Sequence, residues 1–118
     1  KTVSDVESNR FGIARNFAEK YQCVLLLKGH HTVIASPDGR LWVSKSGNSG
    51  LAKGGSGDVL SGFIAGLLAS GFSAEGAAVC GVFCQGRASE FLTEKKGLRG
   101  YTPSDVASII GRFIPECI

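Results

Sequence analysis

The chain has no methionine among its 118 residues, and its first residue is Lys1. Both features lead us to expect a fragment or a processed product. Cys23, Cys80, Cys84 and Cys117 form no CxxC pair, so their spacing offers neither a zinc motif nor a disulfide framework. Reduced, buried thiols and no metal site are the expectation. The sequence has no basic block: the net charge of +3 is spread along the chain, and aromatic residues are not interleaved with the charges. That excludes nucleic acid as an expected partner. The longest nearly apolar run, Val59 to Phe72, is too short to cross a bilayer and is interrupted by Ser61, Gly62, Gly66, Ser70 and Gly71, so a buried helix is expected there and no membrane contact. A secretory signal pattern, internal repeats, low-complexity stretches and a long linker are also missing. The reading is one domain over 1–118, with room for a core but short for a complete α/β enzyme.

What the chain does have, between Asn48 and Ala69, is a glycine-rich loop, then one acid, then an apolar helix. Glycines at 54, 55 and 57 let backbone N–H groups turn toward one point, and the helix adds its positive N-terminal end. An oxyanion fits there. Asp58 is the only carboxylate of the segment and stands at the rim of that site. Beside a bound phosphate a carboxylate is unfavourable unless it has a task, such as taking the proton of the group that attacks phosphorus. Glycines at such a turn also serve tight packing, but the acid argues for the anion.

Around this segment the pattern alternates between helix and strand. Ser4, Asp5 and Glu7 read as a capping box, and apolar positions from Val6 to Tyr21 fit a helix from about Asp5 to Lys20. Cys23 to Leu27 is a continuous apolar run, suiting a central strand covered on both faces. It ends at Lys28 and Gly29, at the strand edge where open α/β sheets place ligands. Thr32–Ala35 and Arg40–Val43 flank Ser36-Pro37-Asp38-Gly39, a hairpin signal. A helix to about Ala69 stopped by Gly71, another capped by Ser73 and running to about Leu92, a loop over 94–100 and a last helix from Thr102-Pro103 through Phe113 follow. Three strands cannot make a large sheet alone, so further strands from elsewhere or an exposed edge are expected.

The glycine segment is not a Walker A loop, because Ser56-Gly57 stands where Lys-Ser/Thr is required, and it lacks a dinucleotide fingerprint. Gly54-Gly55-Ser56-Gly57-Asp58-Val59-Leu60-Ser61-Gly62, with Gly47-Asn48-Ser49-Gly50 before it and Ile64 to Ala69 after it, closely resembles the ADP- or ATP-dependent NAD(P)H-hydrate dehydratases. These form a branch of the ribokinase-like superfamily. A second segment, Leu27-Lys28-Gly29-His30-His31-Thr32 with Pro37-Asp38-Gly39, resembles the family's Lys-Gly-x-x-Thr segment at the nucleotide.

The resemblance implies the C-terminal part of a three-layer α/β/α domain, here a short sheet, a β-hairpin and about four helices. It implies repair of hydrated NADH and NADPH: an adenine nucleotide, ADP or ATP with Mg²⁺, phosphorylates the ring hydroxyl, and loss of phosphate restores the double bond. Carried over by position, Gly54, Gly55, Ser56 and Gly57 hold the transferring phosphate, and Lys28, Gly29, His30, His31 and Thr32 line the nucleotide. Asp58 takes the proton of the attacking hydroxyl and contacts the hydrate. His30 and His31 stand at variable family positions, as exposed loop residues bordering the nucleotide. Ser49 and Lys53 depart from the bacterial pattern; Lys53 either strengthens phosphate binding or points to water. A homo-oligomer, a fused or partner epimerase domain and a cytoplasmic setting are also implied. Two other readings remain open: a small-molecule kinase of the same superfamily, and a non-catalytic nucleotide-binding module.

Overall fold

The computed structural model describes residues 9–29, 31–44 and 55–117. The chain divides into two compact units, Lys1–Lys45 and Ser46–Ile118.

In the first unit α1 spans Arg10–Tyr21, and the proposed capping box before it lies outside the described residues. The helix ends at Gln22, whose backbone is left-handed at φ 48° and whose N–H returns to the carbonyls of Ala18 and Glu19. Three strands follow, β1 (Leu25–Leu27), β2 (Thr32–Ala35) and β3 (Leu41–Ser44), in an antiparallel sheet of order β1-β2-β3. Register places Leu25 opposite Ala35, Leu27 opposite Val33, and Ala35 opposite Leu41. Side chains alternate across a sheet, so these residues share one face. That face packs on Ala14 and Ala18 of α1. The small alanines let the helix approach closely.

Among the described residues β2 is the middle of the three strands, and β1, partly buried, flanks it. The hairpin between β2 and β3 is as expected: Gly39 has φ 94°, and its N–H donates to the Ser36 carbonyl at 3.0 Å.

The second unit is helical: α2 (Ser56–Ala69), α3 (Ala74–Lys96), α4 (Pro103–Ile109) and a 3-10 helix over Ile110–Glu116. Gly71, at φ 104°, ends the first turn-back after α2, with the Phe72 N–H reaching the Leu67 carbonyl. Ser73 caps α3 by accepting from the Gly76 N–H. The long α3 is buried around much of its circumference, from Ala77 to Leu92. It runs a turn beyond the expected end, because Lys95 and Lys96 sit favourably at the negative end of the helix dipole. The last expected helix changes type at Ile110 and continues as 3-10 through Pro115 rather than stopping before it. Ile110 and Phe113, three apart, keep one buried face through that change.

Candidate functional site

The glycine segment enters the described residues at Gly55, with Gly54 and Lys53 outside them. Gly55 has φ 96° and is the residue before α2. A side chain there is strained in that conformation, and a glycine is not. Being glycine, it supplies no side-chain acceptor, and α2 begins without a side-chain cap. α3 and α4, in contrast, begin under Ser73 and Thr102. The first N–H groups of a helix have no intrahelical carbonyl to bind, so those of Ser56, Gly57 and Asp58 are directed to whatever lies before α2.

Asp58 is the third residue of α2, exposed, in the first turn where a negative charge is favoured. Ser56 is buried, and its carbonyl accepts a hydrogen bond from the Gln85 side-chain amide at 3.0 Å. Gln85 lies on α3, so the second helix holds the first turn of α2 from behind. Pro103, which opens α4, stands against Gly55: a Cβ added at Gly55 meets the Pro103 ring at 3.5 Å. Neither Gln85 nor Pro103 was legible as part of this site. A lone glutamine in the otherwise apolar stretch from Ala77 to Gly86 was the available signal.

The other expected segment lies in the first unit. Lys28 and Gly29 are exposed at the end of β1, His31 is exposed and Thr32 opens β2, while His30 lies outside the described residues. Together they turn the chain from β1 back to β2. Arg10 braces that turn: its guanidinium donates to the Leu27 carbonyl at 3.1 Å. A Cβ at Gly29 would come within 2.6 Å of the same group, so glycine is needed for the arginine to reach. The sequence reading did not single out Arg10.

A cysteine cluster corrects the expectation of reduced thiols. Cys23 and Cys84 are free thiols, but Cys80 and Cys117 are joined in a disulfide. Cys80 and Cys84 lie one turn apart on α3, and the 3-10 helix returns Cys117 to them. The three sulfurs lie within 4.8 Å of one another. Burial first, and then the charge of Glu116, push the Cys84 thiol up to about 11.

The sequence model of NAD(P)H-hydrate dehydratase matches residues 1–112. The chain belongs to that family. Among relatives of the dehydratase family, the bifunctional NAD(P)H-hydrate repair enzyme Nnr of Moorella thermoacetica is 39% identical over 109 residues, covering 92% of this chain and 21% of that protein. The ADP-dependent (S)-NAD(P)H-hydrate dehydratase of Neisseria meningitidis is 41% identical over 97 residues, covering 82% of this chain and 33% of that protein. The chain thus spans a third or less of either relative. Bacillus subtilis YxkO superposes with a TM-score of 0.90 at 32% identity, over 100% of this chain and 44% of that one. The ADP/ATP-dependent NAD(P)H-hydrate dehydratase of Bacillus subtilis, co-crystallised with ATP/Mg²⁺, superposes with a TM-score of 0.89 at 33% identity, over 98% of this chain and 42% of that one. The fold is that of the ribokinase-like dehydratases, as the motifs implied. No helix among the described residues is long and apolar enough to cross a membrane.

Proposed function

We propose that the protein carrying this chain dehydrates hydrated NADH and NADPH, using ADP or ATP to phosphorylate the ring hydroxyl before it leaves. The observation that carries the reading is the uncapped glycine start of α2 with an exposed acid at its third position, in a chain of this family. Hydroxide is a poor leaving group and a phosphate ester a good one, so the chemistry needs a phosphoryl site beside a proton acceptor. The first-turn amides of α2, with Gly54, Gly55, Ser56 and Gly57, hold the transferring phosphoryl group as its equatorial oxygens gather charge. Asp58 contacts the hydrate and receives the hydroxyl proton. Lys28, Gly29, His30, His31 and Thr32 line the adenine nucleotide.

Magnesium is held by oxygen donors, commonly one or two carboxylates together with substrate phosphates. Among the described residues the three-residue cluster is made of cysteine sulfurs, two of them joined, and offers Mg²⁺ no oxygen donor. Asp58 is the carboxylate of this segment, so Mg²⁺ is assigned mainly to the nucleotide phosphates. The relatives named bifunctional support a second domain, which we assign to epimerisation of the same hydrates. A homo-oligomer in the cytoplasm completes the reading.

The test is to incubate the full-length protein with hydrated NADH and ADP or ATP and follow the return of NADH absorbance. Recovery with nucleotide, and its loss by about a hundredfold or more in folded Asp58→Asn, is expected. Absence of recovery together with phosphorylation of a vitamin-precursor alcohol would establish a kinase instead. Unchanged turnover in Asp58→Asn would remove the acid from the mechanism.

A further inference from the structure

Cys80 and Cys117 are bonded across a sequence separation of 37, with Cα atoms 5.9 Å apart. That Cα spacing is one a disulfide spans without moving the backbone. The Cys84 sulfur lies 3.8 Å from Cys80 Sγ and 4.0 Å from Cys117 Sγ. A third sulfur therefore touches both ends of the bond. Thiol–disulfide exchange needs sulfurs this close together and an in-line approach, in which a thiolate attacks one sulfur along the axis of the bond to the other; Cys84, beside both sulfurs, reaches that line by turning its side chain. The catalytic proposal makes no use of any of these residues.

We propose that Cys80, Cys84 and Cys117 form a reversible thiol–disulfide exchange site, in which Cys117 pairs with either helix cysteine and the external reactant is a small thiol or disulfide of the glutathione class. In the internal step Cys84 first gives up its proton to solvent, a slow event near neutrality because burial holds its thiol high, and the thiolate then attacks Cys117 Sγ. The Cys84–Cys117 bond forms as the Cys80–Cys117 bond breaks, and Cys80 leaves as a thiolate that takes up a proton. No oxidant is consumed.

Exchange with the surroundings enters at Cys117, which is partly exposed while Cys80 and Cys84 are buried. An external thiolate attacks Cys117 Sγ, forms a mixed disulfide and expels the Cys80 thiolate. A second external thiol then frees Cys117, so two small thiols become one small disulfide and the protein gains two thiol hydrogens. The reverse sequence oxidises the site at the expense of a small disulfide.

The site has a structural reach. Cys117 follows the 3-10 helix, and Ile110 and Phe113 of that helix share a core with Cys80 and Cys84. Opening both pairings leaves that segment held to α3 by packing and by the Arg87–Glu116 ion pair at 3.1 Å. Gln85, next in sequence to Cys84, is the residue that binds the Ser56 carbonyl.

The experiment is disulfide mapping by peptide mass spectrometry on the folded full-length protein, equilibrated in mixtures of reduced and oxidised glutathione. Wild type is expected to give both Cys80–Cys117 and Cys84–Cys117 cross-linked peptides, and to lose both in strongly reducing mixtures. Cys80→Ser is expected to form the Cys84–Cys117 bond, Cys84→Ser to keep Cys80–Cys117, and amide exchange across 110–117 to quicken on reduction. The wild-type mapping needs no variant, so a misfolded substitution leaves the test intact. Wild type that shows Cys80–Cys117 as its sole pairing in every mixture, or folded Cys80→Ser whose two remaining cluster thiols stay unpaired under oxidised glutathione, overturns the proposal.

Discussion

The Gln85 side-chain amide donates to the backbone carbonyl of Ser56 at 3.0 Å, in a buried contact between residues 29 apart in sequence. It ties the middle of α3 to the first turn of α2, whose amides face the proposed phosphate. Gln85→Met keeps the volume and removes the donor. We expect a loss of about 1 kcal/mol in urea unfolding, the usual net worth of such a bond. Turnover is expected to fall further than stability accounts for, because the first turn of α2 loses its rear support. Unaltered kinetics in a destabilised but folded variant would confine Gln85 to packing.

Two glycines near the site predict opposite signs. Gly55 has φ 96°, where an alanine is strained, so Gly55→Ala should cost about 1–2 kcal/mol and weaken nucleotide binding. Gly62 is exposed inside α2, and a Cβ added there meets nothing within 4 Å. Gly62→Ala should gain about 0.5–1 kcal/mol by stiffening the unfolded chain. Thermal melts of the pair, with nucleotide titration, check both.

At the end of α1, Gln22 is the non-glycine residue of positive φ among the described residues, at 48°. Gln22→Gly is expected to relieve about 1 kcal/mol of left-handed strain, offset in part by the lost bond from Gln22 Nε2 to the Glu19 carbonyl. A small rise in melting temperature is the outcome; a fall would mean that the side-chain bond outweighs the strain.

The start of α4 carries a pH signature. Thr102 and Asp105 form a reciprocal capping box, with the Thr102 N–H donating to Asp105 Oδ2 at 2.9 Å and the Asp105 N–H donating to Thr102 Oγ1 at 3.2 Å. The Thr102 N–H first, and then Lys96, hold the Asp105 carboxyl below its ordinary value despite opposing desolvation. The unfolded chain then binds the proton more readily than the folded one, so stability rises with pH across this window. The contribution is complete above an ordinary aspartate value of about 4 and is lost as pH falls through the lower folded value. Asp105→Asn should therefore be less stable than wild type near neutrality and converge with it in acid. Thr102→Ala should cost about 1 kcal/mol through the lost cap.

Much of the local structure was legible because it is written in short-range chemistry. The β2–β3 hairpin follows from Pro37 and Gly39, the start of α3 from Ser73, and the start of α4 from Thr102, Pro103 and Asp105. The antiparallel pairing of β1 with β2 was not, since an apolar run carries no strand direction. The switch to 3-10 geometry at Ile110 was also hidden, because residues three apart satisfy either helix over so short a length.

Sequence by itself determined the glycine entry to α2, the acid at 58 and the family, because backbone freedom, helix capping and charge placement depend on neighbours a few residues away. Only the tertiary structure decided that Gln85 supports Ser56, that Arg10 braces the end of β1 and that Cys117 meets Cys80 and Cys84. Those contacts join residues 17 to 37 positions apart. Such separations carry no periodic signal, and only the packing of helices on one another and on the sheet brings the partners within reach.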